Sequence, residues 1–291
     1  MTPFELVEPS SLEEALELLD PADPLVRPAG GYTALMLMMK AGVLKPTRLV
    51  GLCRIEPRYA GIEAVGDALR IGATCTLARI ERSEVVQREL AVLNRALRTL
   101  ANVRVRNVAT LGGNLAHADP HMDLPPLLIA LGATVVIVGR GGEREIPLAE
   151  LISGYYETTL EAGELIVEVR IPKRLARHCV YRKVTARSAD DWPTLGVAVA
   201  LDVVDGTVRE GHIVLSAAFD RPTQLSAVEA VLRHARIDER TVARAGDVAA
   251  EEADPIADAH GSAAYKRELV RVHVRRALRQ ACGLQPGEAR A

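Results

Sequence analysis

Two glycine pairs, each followed by a helical pattern, restrict what this 291-residue chain can fold into more than any other feature. The first lies in Val26-Arg27-Pro28-Ala29-Gly30-Gly31-Tyr32-Thr33, read as a short strand, a Gly-Gly turn and a helix running to Lys40. The second lies in the stretch from Asn107 to Asp123, read as a loop, which holds Thr110-Leu111-Gly112-Gly113-Asn114 and precedes a helix starting after Asp123. Glycine lets a backbone approach a ligand closely. A hydroxyl and an amide beside consecutive exposed N–H groups make an anion cradle. Taken alone, the second pair is nearly as well explained as a tight turn. Two such loops together suggest closure on one extended phosphate ligand, and a pyrophosphate has two charged groups to satisfy. Neither loop follows G-x-G-x-x-G or a glycine loop ending in Gly-Lys-Ser/Thr, so the Rossmann and P-loop readings fail.

Charge and cysteines narrow the chemistry. With 36 basic and 38 acidic residues and 3% aromatics, nothing favours nucleic acid. No apolar run reaches the roughly 18–20 residues of a membrane span. Met1 to Pro9 lacks signal-peptide order, so a cytoplasmic location is expected. Cys53, Cys75, Cys179 and Cys282 are scattered without ligand spacing and read as buried free thiols, so no metal site is expected in this chain. His117, Asp119 and His121 lack strong ligand spacing too; a partial helix cap and solvent exposure explain them.

Along the chain, Ser10 and Ser11 with Glu13 and Glu14 offer overlapping capping boxes for a first helix. Arg48 to Leu52 reads as a strand, and residues 62–76 as a hairpin around Gly66-Asp67. Leu77 to about Leu100 reads as helical, with Arg104 and Arg106 on a solvated strand face after it. Asp123 stands at the entrance of a helix closed by Gly132, as a cap or as a ribose or ribityl acceptor. A hairpin at Gly141-Gly142 and a strand from Leu165 to Ile171 follow. Beyond about residue 175 the pattern shifts to a three-strand meander (His178–Thr185, Leu195–Val204, Val208–Ala218) with a tight turn at Asp205-Gly206. Helices at about Thr223–His234, Arg240–Ala250 and Ala263–Ala281 complete an α+β unit, the last capped by Ser262 and stopped by Gly283.

With these motifs the chain resembles the FAD-binding medium subunit of the molybdenum hydroxylases, the xanthine dehydrogenase and carbon monoxide dehydrogenase family. The likeness rests on Pro28–Thr33, on Arg106–Ala116 with Asp119-Pro120 and Asp123–Pro126, and on Tyr265-Lys266-Arg267 with Val274–Leu278. It implies an α+β fold: a two-lobed vanillyl-alcohol-oxidase/PCMH-type FAD-binding domain over 1–175 (lobes about 1–55 and 56–175), then a small α+β C-terminal domain over 176–291. It implies FAD as cofactor, its pyrophosphate held by backbone N–H groups of residues 29–33 (Ala29, Gly30, Gly31, Tyr32, Thr33) and 110–114 (among them Thr110, Gly112, Gly113 and Asn114). Asp123 would bond ribityl or ribose hydroxyls, Ile166 would lie against adenine or the flavin edge, and Lys183 would approach the isoalloxazine. Without the family, Lys183 reads as a solvated strand lysine. The implied partners are a molybdopterin-binding large subunit and a [2Fe-2S] small subunit in a dimer of heterotrimers, with no catalytic residue in this chain. A self-sufficient FAD oxidase and a non-redox nucleotide-binding module stay open as rivals. Beside Tyr32, where the family often has His, Thr or Asn, two departures stand out: the acidic segment Ser188–Thr194, whose Trp192 either covers the flavin or packs in a domain interface, and Leu100, roughly where NAD-linked eukaryotic relatives place an aromatic near the flavin, which leaves NAD as acceptor unsupported.

Overall fold

A computed structural model describes residues 2–175, 178–189 and 191–284. Position 176, Asp190 of the acidic segment and the tail from 285 lie outside the described residues. The chain opens with a small lobe: β1 (Glu5–Val7), α1 (Leu12–Leu18), β2 (Val26–Ala29), α2 (Thr33–Lys40) and β3 (Arg48–Gly51). β3 lies between β1 and β2 and parallel to both. Ser11 caps α1, its hydroxyl accepting from the Glu14 N–H, while the Glu14 carboxylate accepts from the Ser10 N–H. The lobe buries Leu12, Ala15, Leu19 and Val50 against Val136, Leu165 and Val167 of the next sheet.

That sheet is preceded and interrupted by helices. β4 (Ile62–Val65) and β5 (Ala68–Gly72) turn at Gly66, whose φ of 58° glycine adopts without strain. The helical run after Leu77 is three helices, α3 (Leu77–Arg82), α4 (Glu84–Glu89) and α5 (Ala91–Arg98), because Ser83 ends one and caps the next. Then come α6 (Val103–Val108), α7 (Leu111–His117), α8 (Leu124–Ala130), β6 (Thr134–Gly139), β7 (Gly142–Pro147), α9 (Leu148–Leu151), β8 (Ile152–Gly154), β9 (Glu157–Thr158) and β10 (Leu165–Pro172). The antiparallel order is β4-β5-β10-β6-β7, with Leu69, Ile71, Val135 and Val169 packed under Leu97, Leu111, Leu115 and Leu124.

Arg104 and Arg106 are on a helix, not a strand face. Asn102 caps α6, and the Arg106 guanidinium turns inward, 2.9 Å from Glu81 and donating to the carbonyls of Leu100 and Ala101. Alternation over four residues cannot distinguish a strand from a short capped helix, and Asn102 tips the balance.

The remainder comprises β11 (His178–Val184), β12 (Leu195–Val204), β13 (Thr207–Ser216), β14 (Thr223–Gln224), α10 (Ser226–Leu232), α11 (Glu239–Glu252) and α12 (Ala263–Cys282). The sheet order is β11-β12-β13-β14, so it has four strands and not three. Thr223 and Gln224 pair with Leu215 and Val214 as an edge strand, which delays α10 to Ser226. Asp205 and Gly206, at φ 51° and 75°, make the tight turn between β12 and β13. Ser262 caps α12 and Gly283 ends it in left-handed backbone.

Lys266 on α12 is fully buried, its amine 2.9 Å from the Ile256 carbonyl oxygen and 2.7 Å from Asp258. It pins the loop before α12 onto the helix. Lys266→Met is expected to cost about 2 kcal/mol of stability, read as a lower denaturant midpoint at unchanged m-value, because the Ile256 carbonyl and the Asp258 carboxylate both lose their donor. An unaltered midpoint would show that the loop holds without the amine.

Candidate functional site

The two glycine bends meet. A Cβ on Gly30 would overlap the Thr110 hydroxyl, and one on Gly31 would overlap the Val108 carbonyl oxygen and lie 2.6 Å from Ala109 Cα. Gly112 is similarly tight, with a Cβ 2.7 Å from that of Ala73. These three glycines let chain pack on chain. Gly113 differs: it is exposed, and an added Cβ would meet only the Thr110 hydroxyl, at 2.9 Å.

The second bend is not a loop ahead of a helix. Thr110 is the N-cap of α7, its hydroxyl accepting from the Gly113 N–H, so Gly112 and Gly113 lie in the first helical turn. The N–H groups of Leu111, Gly112 and Asn114 donate to Cys75, Ala73 and Thr110 carbonyls. The first bend is the reverse case: among the described residues, the N–H groups of Gly30, Gly31, Tyr32 and Thr33 have no hydrogen-bond acceptor. Tyr32 holds left-handed backbone at φ 59° at the entrance to α2, its hydroxyl over Gly51, where a Cβ would not fit. Free donors therefore come from the first bend. The second presents Asn114, which is buried and donates to the Met122 sulfur at 3.0 Å, while its Oδ1 has no partner.

Asp123 stands at the start of α8, but it makes no capping bond. Both its oxygens are taken by β11: Tyr181 donates to Oδ1 at 2.6 Å and Lys183 to Oδ2 at 3.1 Å. Lys183 also donates to the Thr99 carbonyl at 2.9 Å and is a buried lysine, not a solvated strand residue. Burial pushes the Asp123 carboxyl up from its usual range, and the Lys183 charge and the two hydrogen bonds oppose that rise. Tyr181 went unremarked in the sequence. Its signal is the Tyr-x-Lys spacing, which puts both side chains on one face of a strand.

The other singled-out residues separate. Ile166 is buried on β10 in the helix-side core. Asp119 is buried rather than exposed, accepting from the backbone and ring of His121 and from Tyr156. His121 and His117 are half-buried, and no group of three His, Cys, Asp or Glu able to hold a metal exists among the described residues. Trp192 stacks on His121 at 5.5 Å between ring centres while staying 58% exposed, so it bridges the two units without being buried between them. Cys75 and Cys179 are buried; Cys53 is exposed in the turn after β3, its thiol donating to the Gly30 carbonyl, and Cys282 is half-buried as the last residue of α12.

These features fit parts of FAD: the unpaired N–H donors of the first bend suit a pyrophosphate, and the unpartnered amide oxygen of Asn114 and the buried carboxylate of Asp123 are acceptors for sugar or ribityl hydroxyls. Comparison with known proteins agrees. The family described as FAD binding domain in molybdopterin dehydrogenase matches residues 2–174, and the CO dehydrogenase flavoprotein C-terminal domain matches residues 180–281. The nicotine 6-hydroxylase medium subunit of Paenarthrobacter nicotinovorans is 32% identical, covering 94% of this chain and 95% of that one. The carbon monoxide dehydrogenase medium chain of Hydrogenophaga pseudoflava is also 32% identical, over 96% of each chain. A solved structure of carbon monoxide dehydrogenase from that organism, lacking the Mo-pyranopterin moiety of the molybdenum cofactor, superimposes with a TM-score of 0.92 at 34% identity, covering 98% of this chain and 99% of that one.

The chain belongs to the FAD-binding medium subunits of the molybdenum hydroxylases. It is an FAD-binding, electron-transferring oxidoreductase subunit. Among the described residues no helix is long and apolar enough to cross a membrane.

Proposed function

We propose that this chain takes electrons from a [2Fe-2S] small subunit and passes them to a terminal acceptor, while a molybdopterin-binding large subunit oxidises the organic substrate, in a cytoplasmic dimer of heterotrimers. The contact between the two glycine bends carries this reading, since it sets the free N–H donors of the first bend beside the Thr110 hydroxyl of the second. The medium chains of relatives named for nicotine and for carbon monoxide are equally similar to this one, which supports a role remote from substrate choice.

Each residue has a proposed task. The N–H groups of Gly30, Gly31, Tyr32 and Thr33, continuing from Ala29, hold the pyrophosphate beside the Thr110 hydroxyl, and the free Oδ1 of Asn114 accepts from a ligand hydroxyl. Gly112 keeps α7 close against Ala73, and Gly113 leaves room for the ligand. Asp123 accepts from sugar or ribityl hydroxyls, Ile166 lines the apolar side, and Lys183 supplies positive charge. Bound FAD takes up and releases electrons one or two at a time. The protein orients it and excludes water; Lys183, tied to Asp123 and Thr99, keeps its charge in a fixed position. The units 1–175 (lobes about 1–55 and 56–175) and 176–291 meet at this bond.

The test is the visible spectrum of the purified chain and mass spectrometry of what co-purifies. A yellow, acid-released flavin with molybdenum and iron–sulfur chains is the expected result. A yellow chain that purifies alone and oxidises its own substrate would make it a self-sufficient oxidase. A colourless chain carrying a bound nucleotide would end the redox reading. Removing the flavin from the purified chain is also expected to lower its melting temperature, because a ligand that binds only the folded state stabilises it by mass action; identical melting of the stripped and loaded chains would argue against the cradle.

A further inference from the structure

A second cavity adjoins Lys183. It has a volume of about 300 Å³ and opens between α5, β11 and the end of α12, walled by Arg95, Thr99, Arg182, Lys183 and Gln280. No carboxylate lines it. Arg276 and His273, on α12, stand close enough for their charges to act on one another and on Arg182.

The arginines here are unlike their neighbours. On the same helix Arg271, Arg275 and Arg279 pair with Asp247 or Glu239 of α11. Arg95, Arg182 and Arg276 form no ion pair among the described residues. Arg182 donates through Nη1 to Gln280 at 3.0 Å, but its Nε is buried without an acceptor. The Nδ1 of His273 is buried and unpartnered as well. Burial and the Arg276 charge pull Arg182 below its ordinary range, and burial with both arginines holds His273 down at about 4. Like charges gathered around one cavity, with a buried donor lacking an acceptor, are a cost that a bound anion removes.

We propose that this cavity binds an oxyanion, a phosphate or carboxylate group held between the guanidinium groups of Arg95 and Arg182. Planar N–H forks match such groups with two parallel hydrogen bonds, and a neutral ligand would leave the charges uncompensated. The cavity adjoins the FAD cradle across β11. The two share two residues: Tyr181 and Lys183 both line the cavity and both bond Asp123 in the cradle. The oxyanion has two possible sources, a phosphorylated small molecule in solution or an acidic group of a partner chain seated at the seam.

The test is thermal unfolding of the full chain, alone and in its purified complex, in inorganic phosphate against chloride at equal ionic strength. Phosphate-dependent broadening of the ³¹P resonance serves as a second readout. Phosphate is expected to raise the melting temperature and broaden the resonance. Arg95→Met, an exposed position that leaves the fold intact, and Arg182→Met should each lose most of the response. Arg98→Met, exposed on the same helix outside the cavity, should keep it. A response in both the free chain and the complex supports the small-molecule source; a response in the free chain that vanishes in the complex supports a partner's acidic group. No phosphate-specific response in the free chain, or one that Arg95→Met leaves intact, overturns the proposal.

Discussion

Lys183→Met is expected to leave the chain without flavin and about 3–5 kcal/mol less stable, the range for removing one partner of a buried ion pair. Asp123 is 4% exposed, so its charge has little water to turn to, and Tyr181 alone bonds it. The variant also carries a pH signature. Without the opposing Lys183 charge, burial raises the Asp123 carboxyl further above its unfolded value of about 4. The folded state then keeps a proton that the unfolded chain releases, so the variant's stability falls as pH rises through that interval. Adding Asp123→Asn should recover stability and flatten the pH dependence while flavin stays absent, because the uncompensated charge is gone but so is its acceptor. Denaturant melts at several pH values, with flavin occupancy from the visible spectrum, check each part. Full stability in the single variant would mean that Asp123 does not depend on this lysine.

Gly31→Val and Gly113→Val are expected to lose flavin for different reasons. At Gly31 the new Cβ overlaps the Val108 carbonyl and the two bends separate, an overpacking cost of about 1–3 kcal/mol or more. At Gly113 the Cβ meets only the Thr110 hydroxyl, so the fold and the C-terminal unit should survive while the branched side chain fills space left for the ligand. Circular dichroism and melting separate the two effects from flavin content. Unchanged occupancy in the Gly113 variant would remove that residue from the cradle.

Features governed by a few consecutive residues were legible beforehand. Gly66, Asp205-Gly206, Gly132 and Gly283 adopt positive φ at the expected turns and helix ends, and Ser11 and Ser262 cap the expected helices. Features decided by distant packing were not. Arg106 and Asp119 looked solvated because their partners, Glu81 and Tyr156, are 25 and 37 positions away. The second bend looked like a loop because Gly-Gly reads as a break. Thr110, an ordinary helix cap, overrides that in the first turn, where glycine's backbone entropy cost of about 1 kcal/mol is tolerated.

The chain's own order of residues determined its elements, its two glycine bends and, through specific motifs, its family, since each of these depends on interactions between residues close along the backbone. Only the tertiary structure decided that Gly30 rests on Thr110, that Asp123 meets Tyr181 and Lys183 some 58 and 60 positions later, and that unpaired arginines gather behind that lysine. Those meetings are set by how the helix-covered sheet packs against the edge strand of the second unit. Their energies come from burial and charge at that seam, which no local pattern encodes.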